Sequence, residues 1–187
     1  MAREIWKPGN MLYPLPVVLV STIDPETGPN LFTVAWAGTV CTNPALVSIS
    51  VRPERHSYRA LKENREFVIN LTTRELAFAT DYCGVKSGRD TDKWKDMHLT
   101  QVPSSVVAPP GIAESPVCIE CRVKEILPLG SHDLFLAEVA AVSVDEQYKD
   151  EKGKFCLEKA EPIVYSHGQY LTCGEVIGSF GYSVRKK

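Results

Sequence analysis

Three stretches of the chain carry residue types that could hold a ligand. The first is Asn30-Leu-Phe-Thr33-Val34-Ala35-Trp36, which sets polar groups and a large aromatic along an extended segment. Side chains on a strand alternate between its faces, so Asn30, Val34 and Trp36 share one face. The second is the loop Arg52-Pro-Glu-Arg55-His56-Ser57, which gathers two guanidiniums, an imidazole and a hydroxyl just ahead of a helical pattern. Free backbone N–H groups and the dipole at a helix start favour an anion, so this loop reads as a phosphate site. The third is Lys86-Ser-Gly88-Arg-Asp90-Thr-Asp92-Lys93-Trp94, dense in fixed charge with a glycine inside it. Each has an ordinary alternative: a core aromatic, a solvated loop, an exposed turn.

Other chemistries are excluded at the level of motif. The chain has no Gly-x-Gly-x-x-Gly after a strand, no phosphate-binding P-loop, no Gly-x-Ser-x-Gly elbow and no His-Glu-x-x-His. Its four histidines, at 56, 98, 132 and 167, lack carboxylate or cysteine neighbours at ligand spacing, so no metal centre is expected. Of the six cysteines only Cys118 and Cys121 form a C-x-x-C pair, inside Pro116–Val123, which reads as a strand. A spacing of three on a strand sends the two thiols to opposite faces. Unpaired thiols in packed positions are the expectation, and a redox or metal pair is the alternative.

The elements that must position these residues follow from patterning. With 187 residues, 44% of them hydrophobic, the chain can bury a core without disulfides, and a single domain over residues 1–187 is expected. A net charge of -2 with scattered basic residues leaves no footprint for nucleic acid. The longest apolar stretch, Leu15–Val20, is interrupted by Pro16 and falls short of the ~20 residues a membrane helix needs. With no signal-peptide pattern at the start, a cytoplasmic location is expected.

Val17–Ile23 and Leu31–Cys41 read as strands joined by the turn Asp24–Pro29, and Ala45–Val51 as a third. Ser57 is a candidate N-cap for a helix over Tyr58–Asn64. Phe67–Leu71 is a further strand, and Thr72-Thr-Arg-Glu75 a capping box opening a helix to about Tyr82. The long stretch Cys83–Pro116 shows little periodicity. Val117–Leu127 and Asp133–Val144 are strong strands, and Ile163–Tyr165 precedes a Gly- and aromatic-rich end. Strands mixed with short helices, without regular βαβ alternation, imply a mainly antiparallel β sheet or barrel.

Taken in order, these segments resemble the flavin reductase-like family, with its FMN-binding split β-barrel, and within it the flavoredoxins. The marks are Asn30-x-x-Thr33-x-Ala35-Trp36, Cys41-Thr-Asn-Pro44, Ser48-Ile-Ser50-Val51-Arg52 through Arg55-His56-Ser57, Ser87-Gly-Arg-Asp-x-Asp-Lys93, Tyr165–Gly168, Gly174 and Gly181-Tyr182. They span nearly the whole chain.

The resemblance implies a Greek-key antiparallel barrel, α+β through its short helices, and a homodimer with FMN near the subunit interface. It implies flavin contacts from Asn30, Thr33, Val34, Ala35, Trp36, Ser50, Val51, Arg52, Arg55, His56, Ser57 and Lys93, with His132 and Tyr165 as further candidates. Arg52, Arg55 and Ser57 would hold the phosphate, Thr33 to Trp36 would face the isoalloxazine, and Lys93 would favour the anionic reduced flavin.

Two departures stand out: Pro44-Ala45 where many relatives have Pro-Pro, and Lys93-Trp94 where the block usually ends Lys-Phe. The larger Trp94 ring is expected to narrow the cleft. The implied activity is an FMN-dependent oxidoreductase fed by NAD(P)H or a small redox protein. Its rival is an FMN electron carrier that does not turn over NAD(P)H. No side chain is required as catalytic acid, base or nucleophile.

Overall fold

Val18–Asp24 is buried at six of its seven positions rather than at every second one, which means that both of its faces are covered. The computed structural model, which describes residues 2–185, shows what covers them. Strands β1 (Leu15–Pro16), β2 (Val18–Asp24), β3 (Gly28–Val34), β4 (Ala37–Cys41) and β5 (Leu46–Val51) lead into helix α1 (Tyr58–Asn64). Strand β6 (Glu66–Leu71) is followed by α2 (Ala77–Val85) and the single turn α3 (Lys93–Asp96). Then come β7 (Gln101–Val102), β8 (Gly111–Ile112), β9 (Val117–Pro128), β10 (Asp133–Val144), β11 (Ile163–Ser166) and β12 (Gln169–Thr172).

The main sheet has seven strands in the order β3-β2-β6-β9-β10-β5-β4. Every pairing in it is antiparallel. Strands β3 and β4 lie at opposite edges, yet only Ala35 and Trp36 separate them in sequence. Three Cα steps reach at most ~10 Å, so the two edges must meet and the sheet must curl into a barrel. The expected unbroken strand Leu31–Cys41 is therefore two strands, parted by a bend at which the Ser50 amide donates to the Trp36 carbonyl at 2.8 Å.

One face of β2 sends Val18 and Val20 into the barrel interior, where Phe32, Ile49, Phe67, Ile69, Phe135 and Cys121 also pack. The other face sends Leu19 into a second cluster with Leu31 of β3 and with Cys83, Trp94 and Ile112, which the helices and the long segment after α2 contribute. Cys118 belongs to a third cluster, with Val68 and Val107. Cys118 and Cys121 thus face opposite sides of β9, as strand periodicity requires. Burial pushes both thiols up, that of Cys121 to about 12.

One local expectation is corrected. Thr72-Thr-Arg-Glu75 does not open a helix: the Thr72 hydroxyl donates to the Val17 carbonyl, and the Thr73 hydroxyl accepts from the Leu76 amide at 3.3 Å, so α2 begins at Ala77. The stretch from Cys83 to Pro116 is a set of short elements held on the sheet by polar anchors. The Asn70 side chain accepts from the Ile112 amide at 2.9 Å and donates to the Leu19 carbonyl at 3.0 Å. The carboxylate of Glu120, 3% exposed, accepts from Ser105 and from the Val106 amide. Strands β11 and β12 form a hairpin that pairs with β1 outside the barrel sheet. No helix among the described residues is long and apolar enough to cross a membrane.

Candidate functional site

Where the ends of β3 and β5 come together beside α2, the surface sinks into two adjoining lobes. One, of about 380 Å³, is walled by the loop Arg52–Ser57, by Asn30, and by the segment from Cys83 to Lys93. The other, of about 500 Å³, runs along Val34–Trp36 and Ser50–Arg52 to His132, Tyr165 and Tyr170. Phe32, Thr33, Arg52, Arg55 and Val85 line both, so the two are one continuous cleft.

The first lobe is cationic. Arg52, Arg55, Lys86, Arg89 and Lys93 line it, against the single acid Glu54. Its two banks are tied by their own arginines: Arg55 Nη1 donates to the Gly84 carbonyl at 3.1 Å, and Arg89 Nη2 to the Glu54 carbonyl at 3.5 Å. Burial pulls the His56 imidazole below its ordinary pKa, and the nearby Arg89 charge adds to the effect. With α1 only seven residues long, side chains and loop amides rather than a helix dipole give this lobe its charge.

Ser57 occupies the N-cap position of α1 but does not cap it. It is 2% exposed, and its hydroxyl oxygen accepts from Asn30 Nδ2 at 2.7 Å and from Thr22 Oγ1 at 3.1 Å. A hydroxyl has one proton and two lone pairs, so with both lone pairs engaged Ser57 keeps its O–H to donate. Across from it, Gly88 has no room for a side chain: a Cβ there would lie 2.7 Å from both Asn30 Cγ and His56 Cδ2. A hydroxyl donor, guanidiniums and a close glycine backbone make a cradle suited to a phosphate-sized anion.

The second lobe is aromatic. The rings of Trp36 and His132 are 4.3 Å apart, and those of Tyr165 and Tyr170 meet at 5.7 Å edge to face. Burial lowers the pKa of His132, and the nearby Arg52 lowers it further. The opposite bank is α2, which presents Asp81, Gly84 and Val85. Gly84 lets the helix approach β3, since a Cβ there would lie 3.3 Å from Thr33 Cβ.

All the residues expected to contact a flavin line this cleft: Asn30, Thr33, Val34, Ala35, Trp36, Ser50, Val51, Arg52, Arg55, His56, Ser57, Lys93, His132 and Tyr165. Several reach it differently from the expectation. Val34 points into the barrel core, and the bend separates it from Trp36. The Thr33 hydroxyl donates to the Thr80 carbonyl of α2 rather than into the cleft. Lys93 is 3% exposed and its ammonium donates to the Leu31 and Cys83 carbonyls at 2.7 and 2.9 Å, so it fastens β3 to α2 beneath the cationic lobe. Burial lowers its pKa to about 8. Trp94 does not narrow the cleft, because its ring is packed in the second core cluster. Sequence reading missed Arg89, Gly84, Asp81 and Tyr170. The charged block around Gly88 was a signal for the first, whereas Asp81 and Tyr170 carry none.

An antiparallel split barrel with a cationic and an aromatic lobe side by side defines a flavoprotein oxidoreductase. Residues 10–174 match the model of the flavin reductase like domain, and the chain belongs to that family. The flavoredoxin of Desulfovibrio vulgaris (Miyazaki F) has the same fold, with a TM-score of 0.91 and 28% identity over 98% of this chain and 100% of its own. An uncharacterised protein of Archaeoglobus fulgidus is 31% identical over 81% of this chain and 85% of its own length. An NADH:FMN oxidoreductase of Rhodococcus qingshengii is 29% identical over 82% of this chain and 73% of its own.

Proposed function

We propose that the chain binds FMN in this cleft and acts as an FMN-dependent oxidoreductase of the flavin reductase or flavoredoxin type. The observation that carries the reading is the junction of the two lobes at Arg52 and Arg55, which matches a flavin mononucleotide's anionic tail and planar ring. Ser57, Arg52, Arg55 and Arg89 would hold the phosphate, and Gly88 leaves the backbone room to approach it. Trp36, His132 and Tyr165 would flank the ring. When bound, FMN supplies hydride or single-electron transfer, and the protein sets its position, potential and access.

NAD(P)H or a small redox protein is the electron source in this reading. The name of the Rhodococcus relative favours the nicotinamide, and the likeness to a flavoredoxin favours the electron carrier. One experiment separates them. The protein is purified without added flavin, released flavin is identified by mass, and NADH or NADPH is added to the loaded protein under anaerobic conditions. Bleaching within seconds supports the reductase, whereas flavin that stays oxidised until another reductant is supplied supports the carrier. A colourless protein that takes up no FMN overturns both.

A homodimer and a cytoplasmic setting are part of the proposal. Ile5, Trp6, Met11 and Leu12 near one end and Val176, Ile177 and Phe180 near the other are apolar and exposed, as surfaces awaiting a second copy would be. Light scattering tests the mass. The six cysteines are all unpaired, which suits a reducing compartment. The whole chain, residues 1–187, works as a single domain in this reading.

A further inference from the structure

The aromatic lobe is roofed on one side by the hairpin β11–β12, which is not part of the barrel sheet. Its root is well fastened. The Ile163 amide donates to the Thr72 carbonyl, the Arg74 amide to the Glu161 carbonyl, and Arg74 pairs with Glu161 at 3.1 Å. On the β11 side it pairs with β1, and the ring of His167 at its tip packs tilted against that of Tyr13, with centroids 4.2 Å apart.

The β12 side reaches the barrel by one hydrogen bond among the described residues, from the Tyr170 hydroxyl to Asp81 Oδ1 of α2 at 3.1 Å. Tyr170 is the direct cross-strand partner of Tyr165, and their rings meet edge to face. Asp81 stands one helical turn before Gly84 and Val85, on the bank that faces the lobe. Burial and the bond to Asp81 raise the Tyr170 pKa to about 12, so the phenol keeps its proton as a donor.

We infer that Asp81 and Tyr170 are positioning residues of the ring lobe: their hydrogen bond holds the hairpin down on α2 so that Tyr165 forms the lobe's wall. Neither residue needs to touch a ligand to do this. Losing the bond frees the β12 edge while the root and the β1 pairing persist, so the wall lifts on the α2 side. A charge-assisted bond is about twice as strong as a neutral one, so Asp81→Asn retains part of the hold that Asp81→Ala loses.

The test uses the full chain. Amide hydrogen exchange over residues 163–172 is measured without flavin for the wild type, Tyr170→Phe, Asp81→Ala, Asp81→Asn and the Phe–Ala double variant. Exchange in the hairpin is expected to rise about five- to tenfold in Tyr170→Phe and Asp81→Ala, less in Asp81→Asn, and no further in the double variant. Peptides from β2 and β9 should be unchanged. The second readout rests on the flavin reading: FMN release from the loaded protein, and iodide quenching of bound flavin, should rise with hairpin exchange.

Hairpin exchange equal to the wild type, or additive effects in the double variant, would overturn the latch. Faster exchange with unchanged FMN release would overturn its positioning role. A wild type that binds no FMN would instead overturn the proposed function, with the exchange data still deciding the latch.

Discussion

Asn30 Nδ2 donates to Ser57 Oγ at 2.7 Å, joining β3 to the start of α1 at the floor of the cationic lobe. The bond spans 27 residues and turns the serine away from the cap that its position suggests. Ser57→Ala leaves the Asn30 amide and the Thr22 hydroxyl without that acceptor, so urea denaturation should show a loss of about 1–3 kcal/mol. If Ser57 also donates to the phosphate, FMN titration should show about tenfold weaker binding. Ser57→Glu, which adds a negative charge there, should reduce FMN occupancy further; unchanged occupancy in a folded variant would rule out this phosphate cradle.

Gly88 tests the same cradle from the other bank. A methyl group at this position collides with Asn30 and His56, so the loop or those side chains must shift. Gly88→Ala should cost about 1–3 kcal/mol as overpacking and weaken FMN binding tenfold or more by equilibrium dialysis. Gly153→Ala, at an open turn, serves as a contrast in which strain at φ 78° destabilises without touching the cleft.

Lys93 makes the stability depend on alkaline pH. Its pKa is lowered from 10.5 unfolded to about 8 folded, so between those values the unfolded chain binds more protons. Its contribution to stability therefore rises as pH increases from about 8 to 10.5. Thermal melts of the flavin-free protein across this range, compared with Lys93→Met, should show the stability difference between wild type and variant shifting in favour of the wild type as pH rises, whatever the raised cysteine and tyrosine groups common to both contribute. A pH dependence identical in both would show that Lys93 does not titrate there.

The cysteines should separate by burial. Cys173 is exposed and Cys41 half-buried, whereas Cys83, Cys118, Cys121 and Cys156 are buried. Burial raises the thiols of Cys83 and Cys121 to about 11 and 12. Iodoacetamide at pH 8 should label Cys173 first and Cys41 more slowly, and the other four only in denaturant. With Cys118 and Cys121 on opposite faces of β9, replacing both by alanine should leave flavin binding and reduction unchanged apart from a stability cost; loss of reduction would revive the thiol-pair reading.

Features set by short-range physics were legible in the residues themselves. Period-two alternation announced β5, the side-chain alternation of a strand placed Cys118 and Cys121 apart, and the charge density of Arg52–Ser57 and Lys86–Lys93 marked the cationic lobe. Tertiary structure alone decided the rest, because the deciding partners are remote in sequence. The bend at Ala35–Trp36 exists because the sheet edges must close. Thr72 and Ser57 leave their local capping roles because the Val17 carbonyl, Thr22 and Asn30 offer better-placed partners. Trp94 is core rather than cleft because β2 needs cover on its outer face. Asp81 and Tyr170 meet across 89 residues, a pairing that no local pattern encodes.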